Sequence, residues 1–169
     1  MPVRVRPAAG SDREAVLALV PRLRAFGGQA LRENTELDRA EHNELCQAFA
    51  SLKEGAALYV AEMADGEVAG VAYTDSQTDY FTGERHGHLG ILAVAERAEG
   101  QGAGRALLEE VERWAARLGY RFITLHVFNE NTRARAVYER AGYCPDTIKF
   151  AKEIRPRTEA ERASALRQD

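Results

Sequence analysis

Three glycines, Gly100, Gly102 and Gly104, alternate immediately before the run Arg105-Ala106-Leu107-Leu108. Upstream lies Ile91-Leu92-Ala93-Val94, an apolar strand-like stretch. A strand that ends in a glycine turn and a helix start aims free backbone N–H groups and the positive end of a helix dipole at one point. Such a point suits an anion, most often a phosphate. Neither standard nucleotide motif is completed. A P-loop ends in Gly-Lys-Ser/Thr, whereas Gly104 is followed by Arg105-Ala106, and the Gly-x-Gly-x-x-Gly spacing of dinucleotide sites is broken at Arg105. From the loop alone, a packing turn and a nucleotide-binding module both stay open.

The elements around the loop follow from periodicity. Val3–Arg6 alternates like a half-buried strand. Ser11-Asp12-Arg13-Glu14 fits a capping box for a helix carrying Val16, Leu19, Val20 and Leu23, ended by Gly27-Gly28. A Glu-rich helix is expected over 29–52, and Ala57–Ala61 reads as a strand. Asp65-Gly66 signals a hairpin back into Val68–Thr74. The polar stretch 75–87 reads as a loop and His88–Val94 as the next strand. After the glycines, Leu107, Val111, Trp114 and Leu118 form a helical stripe closed by Gly119. Phe122–Phe128 is expected as a strand. Asn131 is expected to cap a helix with Ala134, Val137, Tyr138 and Ala141 on one face, closed by Gly142. A last strand is expected over 147–154. The order β, α, α, β, β, β, α, β, α, β implies an α/β fold, a mixed and mostly antiparallel sheet with helices on both faces.

Composition narrows the class. The chain of 169 residues suits one domain, expected over 1–154, with a charged tail over 155–169. Thr158-Glu159-Ala160-Glu161 is a capping box for a short helix in that tail, which is available to pair with a second subunit in a homodimer. Lys plus Arg is 23 against 26 for Asp plus Glu, a net charge of −3, which argues against nucleic acid as partner. No apolar run spans a membrane and no apolar signal segment opens the chain, so a cytoplasmic protein is expected. Cys46 and Cys144 lie far apart, so they read as reduced, buried thiols rather than a disulfide or zinc site. His86 and His88 lack a carboxylate at metal-ligand spacing, and no metal is expected.

Four segments occur in a telling order: Leu92-Ala93-Val94, Glu99 to Leu108, Asn129 to Ala134, and Tyr138-Glu139-Arg140-Ala141-Gly142-Tyr143. Together they resemble the GNAT superfamily of N-acetyltransferases, with the specific likeness over residues 88–143. The resemblance implies a central βαβ unit that binds acetyl-CoA as cosubstrate. By that likeness the cosubstrate meets Leu92, Ala93, Val94, Gly100, Gln101, Gly102, Ala103, Gly104, Arg105, Ala106, Asn131, Ala134 and Tyr138. The family usually carries Arg or Gln where this chain has Glu99. Either Glu99 points away from the phosphates, or Arg97 and Gln101 supply the donors. Arg105, Arg133, Arg135 and Arg140 fall on the two flanking helices, a local basic patch on an acidic chain.

The resemblance implies direct attack of a primary amine on the acetyl thioester in a ternary complex. The acyl oxygen then needs a donor, and the Val94 backbone N–H is the candidate. Tyr138 matches the family's general-acid tyrosine, although its place on the apolar stripe also suits a core aromatic. The amine must be neutral to attack. A lysine-like amine is neutral about once in 2,500 at pH 7, equivalent to roughly 4–5 kcal/mol. The family often places Glu at the position of Gly90. His88, two residues earlier on the same strand, is the candidate base, directly or through water. Asn131 would bond the pantetheine arm as well as cap its helix. Tyr59, Tyr73 and the helix with Glu33, Glu36, Asp38, Glu41 and Glu44 are expected to border the acceptor cleft. A non-catalytic acyl-CoA sensor on the same fold is the alternative reading.

Overall fold

A computed structural model describes residues 3–24 and 32–154. The Gly27-Gly28 stop and the tail over 155–169 lie outside those residues. Five strands form one sheet in the order β1-β2-β3-β4-β5. They are β1 (Arg4–Pro7), β2 (Ala57–Glu62), β3 (Val68–Thr78), β4 (Arg85–Val94) and β5 (Ile123–Leu125). Pairing is antiparallel through β4, and β5 runs parallel to β4. The helices are α1 (Arg13–Leu17), α2 (Asn34–Ala50), α3 (Ala103–Arg117) and α4 (Thr132–Arg140).

The two faces of the sheet carry separate cores. Tyr59, Ala61, Ala72 and Leu89 pack against Leu107, Leu108, Val111 and Trp114 of α3, with Val137 and Tyr138 of α4 at the border. Leu58, Val60, Val71, Tyr73, Ile91 and Ala93 pack against Val16 of α1 and Leu45 and Ala48 of α2. Each fully buried Leu or Val of these layers contributes about 1.5–3 kcal/mol. The α/β architecture with helices on both faces is as expected. Among the described residues no helix is long and apolar enough to cross a membrane.

Several boundaries differ from expectation, each for a local reason. The first helix is short, with 3-10 turns at Gly10–Asp12 and Val20–Arg24 on either side. Pro21 has no N–H to continue a helix. Ser11 makes no side-chain cap bond; instead the Asp12 carboxylate accepts from the Ala9 N–H at 2.7 Å. The expected loop over 75–87 is largely strand. Pairing carries β3 and β4 out to Thr78 and Arg85, and Asp79 closes the turn by accepting from the Thr82 N–H at 2.8 Å. Pairing with a neighbour outweighs a polar composition there. Leu118 is 45% exposed because α3 ends at Arg117, and Gly119 takes the left-handed conformation, φ 73°.

Two strands shrink or vanish. β5 keeps only the middle of Phe122–Phe128, because its pairing with β4 stops at Leu89 opposite Leu125. No strand forms over 147–154, where Ile148, Phe150 and Ile154 are exposed. That segment alternates as a strand would, but no edge pairs with it. The cysteines are not fully buried either: Cys46 is half-buried and Cys144 exposed, both as free thiols.

Candidate active site

The early end of β5 creates the site. Beyond the Leu89–Leu125 pair, β4 continues through Gly90 to Val94 without a partner on that side. The opening is a cleft of about 800 Å³. Its walls are the free end of β4, the glycine turn with the start of α3, the near face of α4, and Arg22, Leu37, Asp38 and Glu41 from the α2 side. The Ala95 N–H bonds Ala69 of β3 at 2.8 Å, so strand alternation turns the Val94 N–H and carbonyl the other way, toward the opening. The Val94 carbonyl accepts from Arg22 Nε at 3.4 Å.

The glycine turn has the geometry of an anion cradle. Gly100 and Gly102 have φ of 73° and 89°, which side chains rarely tolerate. A Cβ at either would meet nothing within 4 Å, so the surface above them is open. Gly102 is the N-cap of α3, and the Ala106 N–H makes the first helical bond, to Gly102 at 2.9 Å. The N–H groups of Ala103, Gly104 and Arg105 have no acceptor inside the helix. Ala103, Gly104 and Arg105 line the cleft, as do Gly100, Gly102, Leu92, Ala93 and Val94.

Two members of the expected binding set stand apart. Gln101 spends its N–H on the Ala98 carbonyl at 3.2 Å and its side chain on the Arg97 carbonyl at 2.6 Å. Ala106 is inside the helix and its N–H is already bonded. Neither lines the cleft. Arg97 turns to the Val68 carbonyl at 3.1 Å and to Glu67, so it does not supply the expected donor. Glu99 instead faces the cleft between two arginines. Arg133 of α4 reaches its carboxylate at 2.5 Å and Arg22 takes the other oxygen. These contacts, Arg133 first, hold the Glu99 carboxyl below the usual range. Arg105, Arg133 and Arg140 line the cleft, whereas Arg135 bonds Asn129. Arg22 and Arg24 also line it, and no motif in the sequence pointed to them.

On α4, Asn131 caps the helix by accepting from the Ala134 N–H at 3.0 Å. Asn131, Ala134 and Tyr138 all face the cleft, as two helical turns of spacing require. The Tyr138 ring meets Tyr143 edge-on at 5.9 Å, and burial pushes its hydroxyl up to about 12.

His88 is set back. It is buried, its Nδ1 lies 2.9 Å from Thr124 Oγ1, and it does not line the cleft. His86 bonds the same hydroxyl at 3.1 Å. Burial first, then the neighbouring imidazoles of His126 and His86, lower the His88 pKa against the pull of Asp75. The ring that reaches the cleft is His126, 5.1 Å from His88. Tyr59 belongs to the α3-side core and accepts from Arg117 at 3.0 Å, away from the acceptor side. Tyr73, also expected to border the acceptor cleft, packs on the α2 side and is not among the residues that line the cleft.

The comparisons agree with this layout. Residues 25–143 match the model of the acetyltransferase (GNAT) family. A mycothiol acetyltransferase from Beutenbergia cavernae is 30% identical over 83% of this chain and 52% of its own length. The chain thus spans about half of that relative. A solved structure of a putative acetyl transferase from Pyrococcus furiosus superposes with TM-score 0.72 at 24% identity, covering 90% of this chain and all of that one. An aminoglycoside N-acetyltransferase solved in complex with CoA gives TM-score 0.68 at 20% identity, over 90% of this chain and 95% of its own. With the family model matching most of the sequence and the sheet opening where it does, this chain belongs to the GNAT family of acetyltransferases.

Proposed function

We propose that the protein transfers acetyl from acetyl-CoA to a primary amine, by direct attack within a ternary complex. The observation that carries the reading is the parting of β4 and β5 after Leu89 and Leu125, which opens the sheet beside the glycine turn. The residues present fit the cosubstrate. The N–H groups of Ala103, Gly104 and Arg105, with the side chains of Arg105 and Arg140, suit its phosphates. Asn131 and Ala134 suit its arm. When bound, it supplies an activated acetyl thioester.

The chain's own groups then have distinct tasks. The Val94 N–H, turned toward the opening, steadies the acyl oxygen as it becomes negative. Tyr138 donates a proton or hydrogen bond to the departing sulfur, and its raised hydroxyl pKa of about 12 keeps that proton in place at neutral pH. His88, set behind His126, is a support for that ring rather than the base. The relatives' names, mycothiol and aminoglycoside acetyltransferases, favour a small amine acceptor.

Calorimetric titration with CoA and with ATP in parallel, followed by thiol release on a panel of amines, tests the reading. CoA binding with acetyl-CoA turnover is expected. Binding of ATP alone, or CoA binding with no turnover on any amine, would overturn it.

A further inference from the structure

We infer that Glu41 is the base that takes the proton from the acceptor amine, an assignment that rests on the acetyl-transfer reading above. β4 carries a bulge at Gly90: Tyr73 pairs with Ile91 but Thr74 pairs with Leu89, leaving Gly90 the extra residue. Gly90 lines the cleft without a side chain, so β4 offers no proton acceptor at this point. The nearest side chain over it is Tyr73, whose ring would lie 3.4 Å from a Cβ there.

Tyr73 also fixes α2. It shares a hydrogen bond with Glu44, and Lys53 reaches the same carboxylate at 2.8 Å. Glu41 lies three residues before Glu44 and four before the buried Leu45, on the helix face that packs against the sheet. Pinning Glu44 to Tyr73 therefore delivers Glu41 to the cleft wall that includes Gly90.

The charges around it are already answered. Arg24 pairs with Asp38, Lys53 with Glu44, and Arg22 with Glu99, while His126 lines another part of the cleft. Glu41 makes no ion pair or hydrogen bond with any described residue. Burial first, then the Glu44 charge, raise its carboxyl above the ordinary value, which favours taking a proton.

The step balances. The Glu41 carboxylate takes one proton from R–NH3+. The nitrogen lone pair forms the C–N bond to the acetyl carbon while the C–S bond breaks, and sulfur leaves with that pair. Tyr138 protonates the sulfur and recovers a proton from the new amide nitrogen. Glu41 returns its proton to water, so acetyl-CoA and R–NH3+ give the amide, free thiol and one proton.

The test uses kanamycin, glucosamine 6-phosphate and spermidine as acceptors, with the full chain. On the amine that wild type turns over, Glu41→Gln is expected to lower kcat/KM at least 100-fold and to abolish its acidic limb. CoA affinity should stay within twofold, reporting an intact fold, and Glu41→Asp should recover part of the rate. A Gln variant as fast as wild type overturns this assignment alone. So does a slow variant that keeps the acidic limb, since that marks a structural role. A wild type that releases no thiol with any of the three overturns the transfer reading and this assignment together.

Discussion

Nη2 of Arg133 donates to the Glu99 carboxylate at 2.5 Å, joining the glycine turn to α4 at the mouth of the cleft. Arg22 takes the other oxygen from the opposite side. A carboxylate beside the proposed diphosphate site is tolerable because both of its oxygens are answered. It still subtracts a unit of positive charge from the place where phosphates would sit. Glu99→Gln is therefore expected to tighten CoA binding about three- to tenfold at low ionic strength. The gain should shrink in about 0.5 M salt. Calorimetry at two salt concentrations measures both, and weaker binding by the variant would show that Glu99 orders the turn instead.

In the proposed reaction Tyr138 holds its proton until the sulfur departs. With its hydroxyl pushed up to about 12 by burial, it adds no basic limb to kcat below about pH 10. Tyr138→Phe removes only the hydroxyl and keeps the ring against Tyr143. It should lower kcat about 100-fold while CoA affinity stays within about threefold. Equal losses in rate and affinity would mean that the ring, not the proton, matters.

The fold was readable where one helix or strand carries its own periodicity. Leu107, Val111 and Trp114 mark α3, and Gly119 and Gly142 stop their helices in left-handed turns. The glycine turn and the placement of Tyr138 on the cleft wall were readable for the same reason: each belongs to a short local motif. What was hidden depends on partners far away in sequence. The polar arms of the β3–β4 hairpin are strands only because they pair, and 147–154 is not one because nothing pairs with it. His88 shares strand parity with Gly90, but parity cannot show that Thr124 and His126 lie between chemistry and burial. In the sequence Glu41 is one of several acids on the helix expected to border the acceptor cleft. Only the packing of α2 on Tyr73 separates it from Asp38 and Glu44.

His88 makes stability depend on pH near neutrality. Its folded pKa is lowered, chiefly by burial, so the unfolded chain binds a proton more readily. Its contribution is complete above the unfolded value of about 6.5 and is lost as pH falls through that value toward the folded one. Wild-type Tm should drop between about pH 7.5 and 5.5, and His88→Gln should flatten the drop. A variant with the same slope as wild type would move the effect to another histidine.

Gly87 and Gly90 on β4 are expected to differ sharply on substitution. A Cβ at Gly87 would stand 2.9 Å from Trp114 Cζ3 and 3.3 Å from Tyr120, in the layer between β4 and α3. Gly87→Ala should cost about 1–3 kcal/mol, because the Trp114 ring must shift. At Gly90 the nearest atom is an ordinary 3.4 Å away, and Gly90→Ala should cost less than about 1 kcal/mol. Denaturant unfolding of both variants ranks them, and the reverse order would show that α3 yields more readily than the Tyr73 side.

Asp12 couples the first strand to the first helix through Arg6. The guanidinium reaches its two oxygens at 2.6 and 3.0 Å and Glu62 of β2 at 2.7 Å, while the Ala9 N–H completes the Asp12 shell. Asp12 is only 6% exposed, so this is an ion pair held largely away from water. Asp12→Asn leaves Arg6 paired with Glu62 but gives up the charge-assisted bonds to Asp12, at a cost of about 1.5–3 kcal/mol. For a domain of this size that lowers Tm by roughly 3–12 °C. The Arg6 contact holds the Asp12 carboxyl below its ordinary value. The pair's contribution is therefore complete above the unfolded value of about 3.9 and fades as pH falls through the lower folded value. The gap in Tm between wild type and Asp12→Asn should stay constant from about pH 7 to 5 and close in acid. A gap that persists unchanged at about pH 2 would mean that Asp12 acts through shape and its bond to Ala9, with no share from its charge.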